Sequence, residues 1–301
     1  MRLLLLLLGT VTLAAACSPA TSSDTATANQ ASVQQPEGKK TKKGKKKGKG
    51  DGDLPAGLRL VGTLPATIRE SSGLCAAPEA GSYFTFGDDG TAPTVFRVDG
   101  EGQELAHFTL GAPNHDWESL SRDQSGNYYM GDCGNNENAR RNLAILRFRP
   151  ENPAQVGRIA FTYPDQTEFP PKKKERNFDC EASLWHAGQV YLFTKDRGAE
   201  STCKVYTVPE TPGTYTAKLV TKLAIPGAVT DAALSPDGRR LVLLARQELF
   251  ILQGDSWEAL LKATPQRIGL EGAGQTEGLA FKDANTLLIT TEQNAMYELT
   301  I

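Results

Sequence analysis

Five times along the chain an acidic residue stands two to four positions before a leucine that opens a short apolar run. The stretches are "ESSGL" from Glu70, "ESL" from Glu118, "EASL" from Glu181, "DAAL" from Asp231 and "EGLAF" from Glu277. The acids are separated by 48, 63, 50 and 46 residues, by subtraction of their numbers. A period of this length built from short β runs is the signature of a propeller, with one four-stranded blade per repeat. The runs are there: "YFTFG", "TVFRVD", "NYYMGD", "LAILRFR", "RIAFTY", "QVYLFTK", "RRLVLLA", "ELFILQ", "TLLITTE" and "MYELTI", separated by Gly, Pro, Asn and Asp. "DSWEALLKA" reads equally well as a helical turn or a strand.

Each interval parses into four strands except the last, which has three before Ile301. The outer strand missing there is supplied by "LRLVGTL", just before Glu70. Such a closure pairs the two ends of the domain and removes an open sheet edge. The expected fold is therefore an all-β propeller of five blades over residues 55–301, with six blades as the alternative. The long second interval carries "DQTEFPPKKKER", which reads as a surface loop and not as a further blade.

Ahead of the domain, "MRLLLLLLGTVTLAAAC" has one Arg, an apolar stretch too short to span a bilayer and a small-residue ending. Residues 1–16 read as a signal peptide ending in a lipobox, with Cys17 as the lipidation site that holds the mature protein on a membrane. Ser18 after that cysteine favours the outer membrane of a bacterial envelope. Residues 17–54, rich in small polar residues and then in Lys, cannot bury enough apolar surface to fold and read as a tether. Nucleic acid is excluded as a partner: the lysines sit in the tether, and the compartment is wrong.

Topology turns the repeat into a site. The first strand of every propeller blade lines the central axis, so residues at its start gather around one mouth. The ends of the second strands return to the same side. The rim expected from the acids is Glu70, Glu118, Glu181, Asp231 and Glu277, acting as channel rim or as clamps between blades. The ligand-binding candidates are Asp88 and Asp89 ("FGDDG"), Asp116, Trp117 and Glu118 ("DWE"), Asp132, Asn135 and Asn136 ("GDCGNN"), Asp179 and Glu181 ("DCE"), Lys195, Arg246 and Glu292. Carboxylates about 6 to 8 Å apart repel by several kcal/mol at an effective dielectric near 10. Such a ring must hold protons, recruit cations from Lys195 or Arg246, or bind a metal. Oxygen-only ligands suit calcium or magnesium, and the metal candidates are Glu118, Asp132, Glu181 and Glu277.

Trp117 is a stacking platform for a sugar if exposed and a wedge between blades if buried. His115 offers a base at neutral pH. No G-x-S-x-G elbow and no P-loop is present in the sequence. Of the five cysteines, Cys75 reads as core, while Cys180 and Cys203 start strands at the same end of one blade and are a disulfide candidate, with free thiols as the alternative.

The stretches "NHDWESLSRD", "YYMGDCGNNENARRNLAILRF", "FTYPDQTEF", "NFDCEASLW", "VYLFTKDR" and "QTEGLAF" resemble a family of secreted or lipid-anchored β-propellers common in Bacteroidetes. More distantly the chain is similar to the SdiA-regulated and phytase-esterase-like propellers. It departs from the family at Ser119, where an Asp is usual, and at "FGDDG". The resemblance implies fold and envelope location, not a reaction. Three functions follow: a monomeric envelope protein binding a small molecule, glycan or protein ligand at an acidic funnel with calcium; a metal-dependent hydrolase of phosphoesters or lactones; or a passive scaffold.

Overall fold

A computed structural model describes residues 54–226 and 228–301. The expectations for the signal peptide, Cys17 and the tether up to residue 53 lie outside the described residues. The closure of the ring is direct. Strand β1 (Leu58–Thr63) pairs antiparallel with β21 (Ala295–Thr300), with Leu58 opposite Leu299 and Leu60 opposite Tyr297.

The described strands form five sheets in chain order. Blade 1 is β2 (Ser71–Ala76), β3 (Ser82–Gly87), β4 (Thr94–Asp99) and β5 (Glu104–Thr109). Blade 2 is β6 (Trp117–Arg122), β7 (Tyr128–Asp132), β8 (Ala144–Phe148) and β9 (Gly157–Thr162). Blade 3 is β10 (Asp179–His186), β11 (Gln189–Lys195), β12 (Cys203–Pro209) and, after the short β13 (Gly213–Thr216), β14 (Lys218–Leu223). Blade 4 is β15 (Val229–Leu234), β16 (Arg240–Ala245), β17 (Glu248–Gln253) and β18 (Gln266–Gly269). Blade 5 is β19 (Thr276–Phe281), β20 (Thr286–Thr291), β21 and the N-terminal β1.

The fold is the five-bladed propeller expected from the repeat, and the six-bladed alternative falls. Residues 163–178 form a loop with a single 3-10 turn at Lys173–Glu175, anchored at its ends by the buried Tyr163 and Phe178. "DSWEALLKA" resolves as a one-turn helix, α1 (Trp257–Leu260), whose start is capped by Ser256 Oγ accepting the Ala259 N–H. One feature has no signal in the repeat: β13 leaves blade 3 and joins the outer edge of blade 2, running parallel to β9 with Gly213 opposite Ile159. It covers that edge and ties the two blades together.

Burial falls outward along each blade. Strand β3 is buried throughout, whereas β5 is almost wholly exposed. The apolar core is correspondingly divided into the seams between blades. Phe84 and Phe86 of blade 1 pack with Trp117, Tyr128 and Phe148 of blade 2, and Phe161 of blade 2 shares a cluster with Leu192 and Tyr206 of blade 3. The first strands meet one another around the axis in the cyclic order β2, β6, β10, β15, β19. Their approach is close enough to demand glycine: a Cβ on Gly278 of β19 would lie 2.9 Å from the backbone of Gly73 in β2. Among the described residues, every blade strand and the closing strand fall within residues 58–300.

Candidate metal and ligand site at the acidic mouth

All five first strands carry one extra residue relative to their second strands. The register slips between Ser71 and Leu74, Trp117 and Ser119, Cys180 and Ala182, Val229 and Asp231, and Thr276 and Gly278. Each is a β-bulge, a device that turns an unpaired residue away from the ladder. Matching these slips sets Ser72, Glu118, Glu181, Thr230 and Glu277 in one structural column. Two positions earlier stand Glu70, Asp116, Asp179, Ala228 and Gln275. Blades 2 and 3 alone carry acids in both columns, through "DWE" and "DCE".

That alignment decides between the two readings of Asp231, rim acid or clamp between blades, for the clamp. The residue lies one position past the bulge, and a one-residue shift sends a strand side chain to a different face. Its carboxylate is buried and accepts the N–H groups of Ala232 at 2.8 Å, Leu279 at 2.7 Å and Leu74 at 3.4 Å, so it clamps blades 4, 5 and 1. Burial pushes this carboxyl up, while the three N–H donors pull against that rise. Glu70 is exposed in a left-handed conformation, with φ 52°, and makes no such clamp by its side chain.

The densest carboxylate group spans blades 1 and 2. Asp88 follows β3, Asp116 precedes β6 and Glu118 is its bulged residue. Ligand oxygens of these three lie within 4.8 Å of one another. Asn114 sets this geometry: its amide donates to the carbonyls of Gly87 at 3.0 Å and Asp88 at 3.1 Å, and its own carbonyl accepts the Trp117 N–H at 3.0 Å. Gly134 leaves the space, since a Cβ there would come within 2.5 Å of oxygens of both Asp116 and Glu118. Burial, then Asp88, raises Asp116 to about 6 despite Arg140 nearby, whose guanidinium stands 3.6 Å away. Burial, then Glu181 and Asp88, pushes Glu118 well above the carboxylate range. Asp88 is raised for the same first reason.

The other half of the mouth is neutralised by cations. Lys195 Nζ donates to Glu181 Oε2 at 2.9 Å, and Arg197 spans Asp179 at 2.6 Å and Glu181 at 2.8 Å. Burial pushes Glu181 up, but Lys195, Asp179 and Arg197 outweigh it and hold Glu181 below its ordinary range. Asp179 is raised by burial and by Glu181, against the pull of Arg197. Asp132 is buried and engaged by His115 Nδ1 at 2.9 Å and Arg140 at 3.1 Å. Glu277 sits by Lys195, Glu181 and Glu292; burial dominates and raises it to about 8.

Several sequence candidates therefore have other roles. Of the expected metal ligands only Glu118 belongs to the compact group; Asp132 and Glu181 are bound to cations, and Glu277 lies across the mouth. Asp88 and Asp116 complete the group instead. Trp117 is fully buried, packs edge-on against Phe86 at 6.1 Å and donates its indole N–H to Pro113, so the wedge reading holds and the sugar platform does not. Asn135 is buried and cross-links blades 2 and 3: its backbone N–H donates to Asp179 Oδ1 and its side-chain amide to the Phe178 carbonyl. Asn136 meets Arg197 at the exposed rim, where Asp89 and Arg246 are also exposed, and Glu292 accepts from Gln275. The Cys180–Cys203 disulfide is not formed. All four described cysteines are free and buried, and β11 lies between β10 and β12, which separates the two by about 9 to 10 Å, beyond the reach of a disulfide. Arg140, Arg197 and Asn114 were missed by sequence reasoning.

No protein-family model matches the chain, and no curated protein matches it in sequence. Solved structures do match. Glutaminyl cyclase from Myxococcus xanthus is 11% identical, with 80% of this chain and 95% of that one covered and a TM-score of 0.51. The PQQ-bound aldose sugar dehydrogenase from Streptomyces coelicolor is 12% identical over 81% and 97%, with a TM-score of 0.48. The calcium-binding protein regucalcin from Agrobacterium tumefaciens is 14% identical over 80% and 94%, with a TM-score of 0.45. At such identities the likeness extends to the β-propeller fold alone.

The raised carboxyl of Glu277 fixes a sign for stability. The folded domain keeps this proton up to about pH 8, whereas the unfolded chain releases it near the ordinary value of 4.5, so stability is lost as pH rises through that window. Glu277→Gln should flatten the fall in melting temperature between pH 6 and 9 and add on the order of 1 kcal/mol or more at pH 9, at about 1.4 kcal/mol per pKa unit. A constant difference from the parent across that range would show that Glu277 ionises as a solvated acid does.

Proposed function

We propose that the domain binds a hard divalent cation, calcium, on Asp88, Asp116 and Glu118, and uses it with Lys195 and Arg197 to hold a small-molecule, glycan or protein ligand at the acidic mouth. The observation that carries this reading is the convergence of three raised carboxyls from two blades within 4.8 Å. Their mutual repulsion is relieved by a cation; the one Arg beside them, Arg140, stands 3.6 Å from Asp116 and spends its hydrogen bonds on Asp132 and the Gly134 carbonyl. Calcium takes six to eight oxygens, so three carboxylates leave positions for water and for a ligand oxygen. The protein is placed by this proposal on a bacterial envelope, through a lipid on Cys17, as an outer-membrane member of the Bacteroidetes-type propellers. A Cys17→Ser chain that still fractionates with membranes would contradict the anchor.

One observation supports a second reading, a metal-dependent hydrolase of phosphoesters or lactones. Asp116, at about 6, exchanges its proton near neutral pH, as a general base must. A bound cation would then hold the substrate oxygen.

Calorimetric titration of residues 54–301 with calcium separates the outcomes. Saturable binding is expected, weakened at least tenfold in Glu118→Gln. Because raised carboxyls must lose protons to bind metal, affinity should fall as pH drops through about 6. Calcium-dependent turnover of phosphoesters or lactones, lost in Glu118→Gln, would establish the hydrolase. Absence of calcium binding at pH 8 would leave the passive scaffold.

A further inference from the structure

The bulged residue of each first strand turns to one mouth, and the leucine that follows it goes the other way. Leu74, Leu120, Leu184, Leu234 and Leu279, one from the first strand of every blade, line a single cavity of about 570 Å³. The residues that follow those strands, such as Gln124 after β6 and Pro236 after β15, line it too. The cavity thus lies at the opposite end of the first strands from Glu118, Glu181 and Glu277. Its volume is that of a small-molecule site, and its walls come from a rigid ring rather than from loops.

The wall is apolar with a sparse polar set. Besides the leucines it presents Ala232, Ala280 and Phe281. Ser121 also lines it; this residue is 6% exposed, and its Oγ has no hydrogen-bond partner. A buried hydroxyl left unpaired is costly, and a ligand oxygen would satisfy it. Arg122 is the one Arg or Lys lining the cavity among the described residues. Its side chain is at the exposed edge, where its guanidinium donates to the Ala77 carbonyl at 3.3 Å and bonds the Tyr128 hydroxyl, which leaves three of its five N–H donors for a ligand.

Of the two acids of the wall, Asp123 has both oxygens engaged, while Asp237 is bound through Oδ1 alone at the exposed side. Asp123 accepts the N–H groups of Ser125 and Asn127, the Asn127 amide and the Tyr129 hydroxyl. Asp237 accepts from Ser235 Oγ and the Arg239 N–H. Both close their own turns. His186, on the far side, stacks on Trp257 at 4.4 Å, and burial lowers its pKa, so it adds a neutral surface near pH 7. An apolar bowl with one guanidinium at its edge and one unpaired hydroxyl buried in its wall selects a molecule of matching polarity.

We propose that this second mouth binds an apolar carboxylate of the medium-chain fatty-acid class, with the acyl chain against the five leucines and the carboxylate on Arg122 and Ser121. Water in contact with a ring of leucines is the unfavourable alternative that the acyl chain replaces. The guanidinium pairs with a carboxylate through two parallel N–H donors, which a neutral head does not match.

The test uses residues 54–301, decanoate and, as a neutral-head control, decanol, each below its micellar or solubility limit. Calorimetry should give one saturable decanoate site per chain. Leu234→Trp, which fills the bowl from its partly exposed side, should weaken decanoate at least tenfold. Arg122→Gln should weaken decanoate at least fivefold and leave decanol unchanged; this edge substitution keeps the test decisive if the tryptophan variant unfolds. Glu118→Gln, at the other mouth, should leave decanoate affinity as it is. The proposal is overturned if decanoate does not saturate, if both cavity variants bind it as the parent does, or if Arg122→Gln weakens decanol as much as decanoate.

Discussion

Everything at the acidic mouth depends on one extra residue in each first strand. The first strands crowd the axis so closely that Gly73 and Gly278 touch by backbone, and a regular ladder there would point its side chains into the seams between blades. A bulge breaks the alternation once and re-aims a single side chain. In blades 2, 3 and 5 that side chain is a glutamate, and in blades 1 and 4 it is Ser72 and Thr230. Serine and threonine ask for hydrogen bonds rather than counterions, as Thr230 shows by donating to the Thr276 carbonyl. The mouth is therefore lopsided in charge although the backbone around it is nearly symmetric.

Charge balance follows that lopsidedness. On blade 3, Lys195 and Arg197 meet Asp179 and Glu181 at ion-pair distances, so those acids are spent on holding the rim together. Across the seam between blades 1 and 2, Asp88, Asp116 and Glu118 have only the edge of Arg140, and their carboxyls are raised by burial and by one another. A buried acid with a partner is architecture; a buried acid without one is a place for a proton or a metal. The distinction also separates Asp231, which is saturated by three backbone N–H groups, from the glutamates with which it shares a sequence pattern.

Period and strand content made the fold legible before any coordinates: the 48- to 63-residue spacing, the three-strand last repeat and "LRLVGTL" led to five blades and to the β1–β21 pairing that the structure contains. The site was legible only as a neighbourhood. Counting from acid to leucine does not register where the bulge falls, and so Asp231 and Glu70 were grouped with Glu118. Sequence also does not reveal which acids are already paired. Arg140 and Arg197 sit inside the quoted stretches "NNENARR" and "FTKDR", and asking what would neutralise so many acids at one mouth would have pointed to them. Trp117 was undecidable from composition, because an indole beside two acids has the same sequence whether Phe86 covers it or not.

The central claim is that geometry leaves three carboxylates with a single guanidinium at their edge and close enough to share a cation. Diffraction from crystals of the domain grown with calcium, measured for anomalous signal, tests this at the atoms concerned. A peak about 2.3 to 2.6 Å from oxygens of Asp88, Asp116 and Glu118 is the predicted result. A map with no peak there at saturating calcium, or a peak at Glu181 with Lys195 and Arg197 displaced, would contradict it.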